Sequence, residues 1–256
     1  MRLVTWNVNS LTARLPRVTE WIGQNEPDVV CLQETKLNDS KFPFETFADL
    51  WYEAAHHGDG RWNGVAVLSR VGLSDVVKGF GSAEDEFGCR IVAADCGGVR
   101  VHSVYVPNGR SVDSEFYQQK LAWLARLRTM LDKSYQAGDS VAIGGDFNVA
   151  PDDGDVWDPA AFVGATHVSE AERSALVHVV DWGLHDVFRR FNEPGVFTWW
   201  DYRAGDFHNG RGMRIDLLLL SHDLYDRATG ASRDRDARKG QKPSDHAPVL
   251  VDIADA

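Results

Sequence analysis

Near its C-terminal end the chain reads Lys242-Pro243-Ser244-Asp245-His246-Ala247-Pro248-Val249. An acid and an imidazole stand side by side between two prolines, just ahead of the strand-forming run Val249-Leu250-Val251-Asp252-Ile253. A turn alone would be served as well by Asn-Gly or Asp-Gly. Side chains of matching character recur along the chain: Asn7 and Asn9, Gln33 and Glu34, Tyr105 and Asn108, Asp146 and Asn148, and Asp216. The set holds carboxylates, amides, a phenol and one imidazole, with no thiolate. Hard oxygen donors of this kind suit Mg²⁺, with Mn²⁺ able to substitute, better than zinc. A divalent ion held by few protein groups keeps positions open for phosphate oxygens. With a carboxylate base, a neutral amide donor and an Asp–His pair beside it, the set is equipped to hydrolyse a phosphate ester with water.

Those residues need elements that deliver them to one place. Strands are predicted over residues 2–8, 28–34, 65–70, 90–95, 100–107, 140–148, 196–201, 215–221 and 247–253. Asn and acidic side chains are depleted inside strands. Here they stand at strand ends, beside runs such as Val29-Val30-Cys31-Leu32 and Leu217-Leu218-Leu219-Leu220. Consecutive apolar positions mean strands covered on both faces. Helices are predicted over 12–25, 114–137 and 169–182. The second carries the stripe Phe116, Leu121, Leu124, Leu127, Leu131, and the third opens with the capping box Ser169-Glu170-Ala171-Glu172. Irregular pieces at 38–47, 78–88, 151–166 and 203–211 are longer than a scaffold requires. No linker divides the chain, so one domain over residues 1–256 is expected: an α/β fold with two packed sheets and helices on their outer faces.

Composition narrows the class. The 256 residues, 43% of them hydrophobic with nine Trp and twelve Phe, can bury a sizeable core. A net charge of −11 argues against a general nucleic-acid binder. Local charge differs, because Arg233, Arg235, Arg238, Lys239 and Lys242 outnumber Asp234 and Asp236 in a strip that runs into the Asp245-His246 turn. That strip is either a solvated loop or a phosphate contact. Cys31, Cys89 and Cys96 show no C-x-x-C spacing, so neither a disulfide framework nor a zinc site is expected and a reducing cytoplasm fits. The N-terminus does not read as a signal peptide, and no apolar run approaches the ~20 residues needed to span a bilayer.

The polar set lies within Thr5-Trp6-Asn7-Val8-Asn9, Leu32-Gln33-Glu34-Thr35-Lys36, Tyr105-Val106-Pro107-Asn108-Gly109, Gly145-Asp146-Phe147-Asn148, Arg211-Gly212-Met213-Arg214-Ile215-Asp216 and Pro243-Ser244-Asp245-His246. In these motifs and their order the chain resembles the exonuclease III / AP endonuclease family of the DNase I-like endonuclease/exonuclease/phosphatase superfamily, from Met1 to about Ile253. The resemblance implies a four-layer α/β sandwich, two facing mixed β-sheets flanked by helices. It implies one or two metal ions, with Asn7, Glu34, Asp146, Asn148 and Asp245 as the metal-side set. Asp146 would orient or deprotonate the attacking water, and Asn148 would donate to the phosphate. His246 would lie on the scissile phosphate with Asp216 as its partner, and Tyr105 would donate its phenol.

For substrate, the resemblance implies a DNA repair nuclease: 3′–5′ exodeoxyribonuclease, abasic-site endonuclease and 3′-phosphatase or 3′-phosphodiesterase, acting as a monomer in the cytoplasm at the nucleoid. Asn9, Lys36, Arg90, Asn108 and Arg214 are the expected polar contacts to duplex DNA with abasic sites or 3′ ends. Trp199, Met213 and Ile215 match the walls of a pocket for a flipped sugar, the cheapest unit to extrude when no base pairs with it. His167 stands where relatives that incise internal abasic sites often carry a small residue, so its ring would narrow that pocket and favour 3′-end work. The alternatives are a phosphoesterase of the same superfamily acting on inositol phosphates or sphingomyelin, and a nucleic-acid-binding regulator that has lost catalysis.

Overall fold

The computed structural model describes residues 1–81, 87–136 and 138–255. Its strands in chain order are β1 (Arg2–Asn7), β2 (Val29–Gln33), β3 (Glu53–His57), β4 (Val65–Ser69), β5 (Ser74–Lys78), β6 (Ile91–Cys96), β7 (Val99–Tyr105), β8 (Val141–Asp146), β9 (Leu184–Asp186), β10 (Asp216–Ser221), β11 (Ala228–Arg233) and β12 (Val249–Ile253). They form two six-stranded sheets, ordered β11-β12-β1-β2-β4-β3 and β5-β6-β7-β8-β10-β9. β1 and β2 are parallel, as are β7 and β8, and both crossovers pass through a helix, Leu11–Asn25 in one sheet and Glu115–Ser134 in the other.

The doubly apolar runs explain the layering. Side chains alternate across a strand, so Leu218 and Leu220 join the core between the sheets while Leu217 and Leu219 join the core under the outer helices. On the other sheet Leu3 points inward, and Val4 and Trp6 pack outward against Trp21 and Ile22 of the helix Leu11–Asn25. This is the expected four-layer sandwich. The helix Glu170–Val180 opens with the expected capping box, Ser169 and Glu172 exchanging hydrogen bonds.

Several local expectations differ. Residues 196–201 form no strand; Trp199 makes only isolated bridges, to Met213 and His246. The unexpected strands β3, β5, β9 and β11 are short, bulged or solvent-facing, and β5 is exposed at every position. All four are sheet-edge strands, and the one or two buried residues in each of β3, β9 and β11 are too few to leave a pattern. Phe116 is exposed, and Lys120 takes the buried place on that helix. Ala137, the predicted end of that helix, and residues 82–86 of the predicted loop 78–88 lie outside the described residues. Among the described residues no helix is long and apolar enough to cross a membrane.

Register brings the polar residues to one edge. Asp146 pairs with Tyr105 on one side and Asp216 on the other, and Asn7 pairs with Gln33, one residue before Glu34.

Candidate active site

Four non-glycine residues at this edge adopt left-handed backbone: Asn9 (φ 42°), Glu34 (φ 51°), Lys36 (φ 55°) and Asn148 (φ 51°). Such conformations are strained and persist where the surroundings dictate them. Here the Thr35 and Lys36 amides donate to Gly64 O (3.0 Å) and Asn63 O (2.8 Å), which turns Glu34 into the cleft between the sheets. Asn148 N–H donates to Asp146 Oδ1 at 2.9 Å.

One ligand atom each from Glu34, Asp146 and His246 lie within 4.8 Å of one another. Asn7 Nδ2 bridges the two carboxylates, donating to Glu34 Oε1 and Asp146 Oδ2, both at 2.9 Å. Its Oδ1 accepts from the Asn9 amide at 2.9 Å, which fixes the orientation of the side chain. This corrects the expectation for Asn7. An amide binds metal through oxygen, and this oxygen faces away from the carboxylates. Asn148 is corrected likewise: its Oδ1 accepts from Asn108 Nδ2 (3.0 Å), while its Nδ2 gives one hydrogen to Val106 O (3.0 Å) and keeps another to donate. Asp245 also stands outside the cluster, with Oδ1 held by Asn9 Nδ2 (3.0 Å) and Oδ2 by Trp199 Nε1 (3.1 Å).

His246 parts company with its neighbour Asp245. Its Nδ1 lies 2.9 Å from Asp216 Oδ2, which also accepts from Thr198 Oγ1 at 2.6 Å. Nδ1 therefore carries a proton and the ring aims Nε2 at Asp146 Oδ2, 3.8 Å away. Ser244 latches the turn to β1, donating to Asn7 O (2.6 Å) and accepting from the His246 amide (3.2 Å).

Burial, with the Asp216 and Glu34 charges, lifts the Asp146 carboxyl to about 7 against the opposing His246 and Asn7. Burial alone would discharge His246, but Asp216 and Asp146 outweigh it and hold the imidazole at about 10. Burial, then Glu34 and Asp146, keep the Tyr105 phenol protonated. A cationic imidazole is no metal ligand. The two facing carboxylates, one of them hard to ionise unaided, are what a hard divalent ion fits, so Glu34 and Asp146 would hold it.

This has a pH signature. Asp146 has a folded pKa above its ordinary 3.8, so its contribution to metal-free stability is complete below about pH 3.8 and lost as pH rises through about 7. The His246 contribution is complete below 6.5 and lost only as pH rises through about 10. Metal needs the ionised Asp146, so Mg²⁺ should raise the melting temperature more at pH 8 than at pH 6. Thermal unfolding at both pH values checks this; an equal or larger rise at pH 6 contradicts it.

The substrate-side residues divide. Lys36 Nζ lies 2.9 Å from Glu34 Oε2, and Arg90 stacks over the Tyr105 ring at 4.8 Å. Asn108 is exposed at the rim. Trp199 is half-buried over Met213 and Ile215, which lie in a small apolar cluster with Ala150 and Val156. His167 (φ 80°) is half-buried, its Nδ1 2.5 Å from Asn148 O. Burial, then Lys120, depresses it to about 4, so the ring is neutral.

Arg214 is corrected. It is fully buried, with Nε and Nη2 on Asp155 (2.6 and 3.0 Å) and Nη1 2.7 Å from Asp186 Oδ2, so it braces the fold beneath the site. Much of the basic strip also turns inward. Arg238, 5% exposed, donates to Ser244 O, and Arg233, Arg235 and Arg238 stack against Trp200. Two contributors were not anticipated: Thr198, hidden in the aromatic run Phe197-Thr198-Trp199-Trp200, and the buried Lys120–Glu172 pair, whose signal was a Lys inside an apolar helical stripe.

The chain is similar to known proteins over nearly its full length. The model of the Endonuclease/Exonuclease/phosphatase family matches residues 4–246. Exodeoxyribonuclease III of Haemophilus influenzae is 33% identical over 99% of this chain and all of its own. Among solved structures, an AP endonuclease from Archaeoglobus fulgidus superposes with TM-score 0.95 at 36% identity, covering 99% of both chains. A 3′–5′ exonuclease from Neisseria meningitidis superposes with TM-score 0.96, also at 36% identity and 99% of both chains. A 3′ phosphatase from Neisseria bound to product DNA hairpin is 35% identical, with TM-score 0.95 and 99% of both chains covered.

Proposed function

We propose that this chain, which belongs to the endonuclease/exonuclease/phosphatase family, is a metal-dependent DNA repair nuclease that hydrolyses phosphodiesters in duplex DNA. It combines 3′–5′ exodeoxyribonuclease, abasic-site endonuclease and 3′-phosphatase or phosphodiesterase activities, as a single catalytic unit and a monomer acting in the cytoplasm on nucleoid DNA. The observation that carries the reading is the Glu34–Asp146 pair facing an imidazole that Asp216 holds cationic. The relatives named for exonuclease, AP endonuclease and 3′ phosphatase activity support the substrate class.

Mg²⁺, or Mn²⁺ in its place, supplies Lewis-acid stabilisation of phosphate charge when bound by Glu34 and Asp146. The chain's own groups do the rest. Asp146, ionised when it faces the metal, takes a proton from the attacking water. The Asn148 Nδ2 hydrogen and the cationic His246 Nε2–H donate to the phosphoryl oxygens as charge develops. Tyr105, kept protonated, donates its phenolic hydrogen toward the leaving oxygen as the P–O bond breaks. Lys36 and Arg90 meet backbone phosphates at the rim, and Trp199 over Met213 and Ile215 walls the sugar.

The test is a side-by-side assay on abasic duplex, 3′-phosphate duplex, blunt duplex and an inositol polyphosphate, with Mg²⁺ or chelator. Turnover of the DNA substrates with Mg²⁺ alone is expected; turnover confined to the inositol substrate contradicts the reading. In the same assay His167→Gly should raise the ratio of abasic incision to 3′-phosphatase activity roughly tenfold, by widening the sugar pocket. An unchanged ratio removes the specificity role of His167.

A further inference from the structure

We infer that Lys120 is a positioning residue that holds the main chain of Asn148 and Asn108 in place for the phosphate, an inference that rests on the role of Asn148 proposed above. The side chains of Lys120 and Glu172 are both fully buried and form an ion pair. An ammonium has three hydrogens. Besides Glu172, Lys120 Nζ reaches Asn148 O at 2.5 Å and Asn108 O at 3.3 Å. These two carbonyls belong to residues whose side chains also touch, Asn108 Nδ2 donating to Asn148 Oδ1 at 3.0 Å. One cation thus ties the loop after β7 to the loop after β8, behind the amide aimed at the phosphate.

Glu172 anchors the cation from the other side. It accepts from Thr166 Oγ1 (2.7 Å), the His167 amide (3.0 Å), and the Ser169 amide and hydroxyl (3.1 and 2.6 Å). The N-terminus of the helix Glu170–Val180 and the His167 loop are therefore locked to the same point. The ion pair is by itself weak evidence for stability, because apolar residues of similar volume can often replace a buried pair. What apolar residues cannot do is donate to both carbonyls while Asn148 sits in left-handed backbone. A displacement of about 1 Å at a reacting group can cost about 100-fold in rate.

The test measures kcat, KM and melting temperature on a 3′-phosphate duplex with Mg²⁺. In K120M/E172L the expected result is kcat lower by about 100-fold, KM within about twofold of wild type, and cooperative unfolding retained. Should that variant not fold, K120Q/E172Q keeps the pocket polar while its shorter amide cannot span both carbonyls, and the same split is expected. A wild-type kcat in the folded variant overturns the inference, as does a kcat loss matched by the loss of folded protein. N148A separates the two readings. If N148A keeps wild-type kcat, the role of Asn148 fails; if N148A is inactive while the Lys120 variants are unimpaired, only the role of Lys120 fails.

Discussion

Asp146→Asn yields a folded protein that still binds duplex DNA and turns it over about 10³-fold more slowly, or worse. The substitution is isosteric, so the strand end and its register with Asp216 persist. It removes the group that accepts the water's proton, a contribution typically of about 10²–10⁴-fold, and one of the two carboxylates that would hold the metal. Its stability signature has the opposite sign. Burial makes the ionised Asp146 unfavourable, so the neutral amide should raise the metal-free melting temperature at pH 8. The Mg²⁺-induced rise should shrink in the same variant. Single-turnover kinetics beside thermal unfolding with and without Mg²⁺ checks both. A slow enzyme that keeps the full Mg²⁺-induced rise would mean that Asp146 does not bind metal.

Asp216→Asn is expected to slow turnover by about 10²–10³-fold at pH 8, in the range of a lost catalytic donor, and to change the shape of the pH profile. With Asp216 in place, His246 stays charged up to about pH 10. Without that charge, burial acts on the ring with less opposition and its pKa falls. The cationic donor is present below that pKa and lost above it, so the alkaline limb of kcat should move to lower pH. A D216N enzyme that is slow at all pH values with the wild-type alkaline limb would show that Asp216 does not set the charge of His246.

The sequence was most legible where one physical rule acted alone. Runs such as Leu217–Leu220 demanded two apolar faces, and two apolar faces demanded layers on both sides of a sheet. Polar residues at strand ends could be collected into one site because register, once the strands pair, leaves Asp146 between Tyr105 and Asp216. Which atom of each side chain faces the centre was not legible. Asn7 could have offered oxygen or nitrogen, and the choice is made by the Asn9 amide two residues on, through backbone that sequence does not announce as left-handed. Arg214 stands two residues before Asp216, where strand alternation would put both on one face, yet it precedes β10 and is drawn beneath the site by Asp155 and Asp186. The basic strip could not be decided between loop and phosphate contact for a related reason: guanidinium groups also stack on aromatic faces, and Trp200 lies within reach. The Lys120–Glu172 pair joins residues 52 positions apart, a contact visible only after folding.

On the proposed function, Glu34 and Asp146 would hold a divalent ion for phosphodiester hydrolysis in DNA. The most direct test is the rate of strand cleavage on a duplex carrying one abasic site and of phosphate release from a 3′-phosphate duplex, titrated with Mg²⁺ after chelation, for wild type and Glu34→Gln. No cleavage is expected in chelator, with saturable recovery on adding Mg²⁺, and the Glu34→Gln enzyme should need far more Mg²⁺ and remain slow at saturation. Cleavage that persists in chelator, or a Glu34→Gln enzyme with the wild-type Mg²⁺ dependence and rate, would contradict that role.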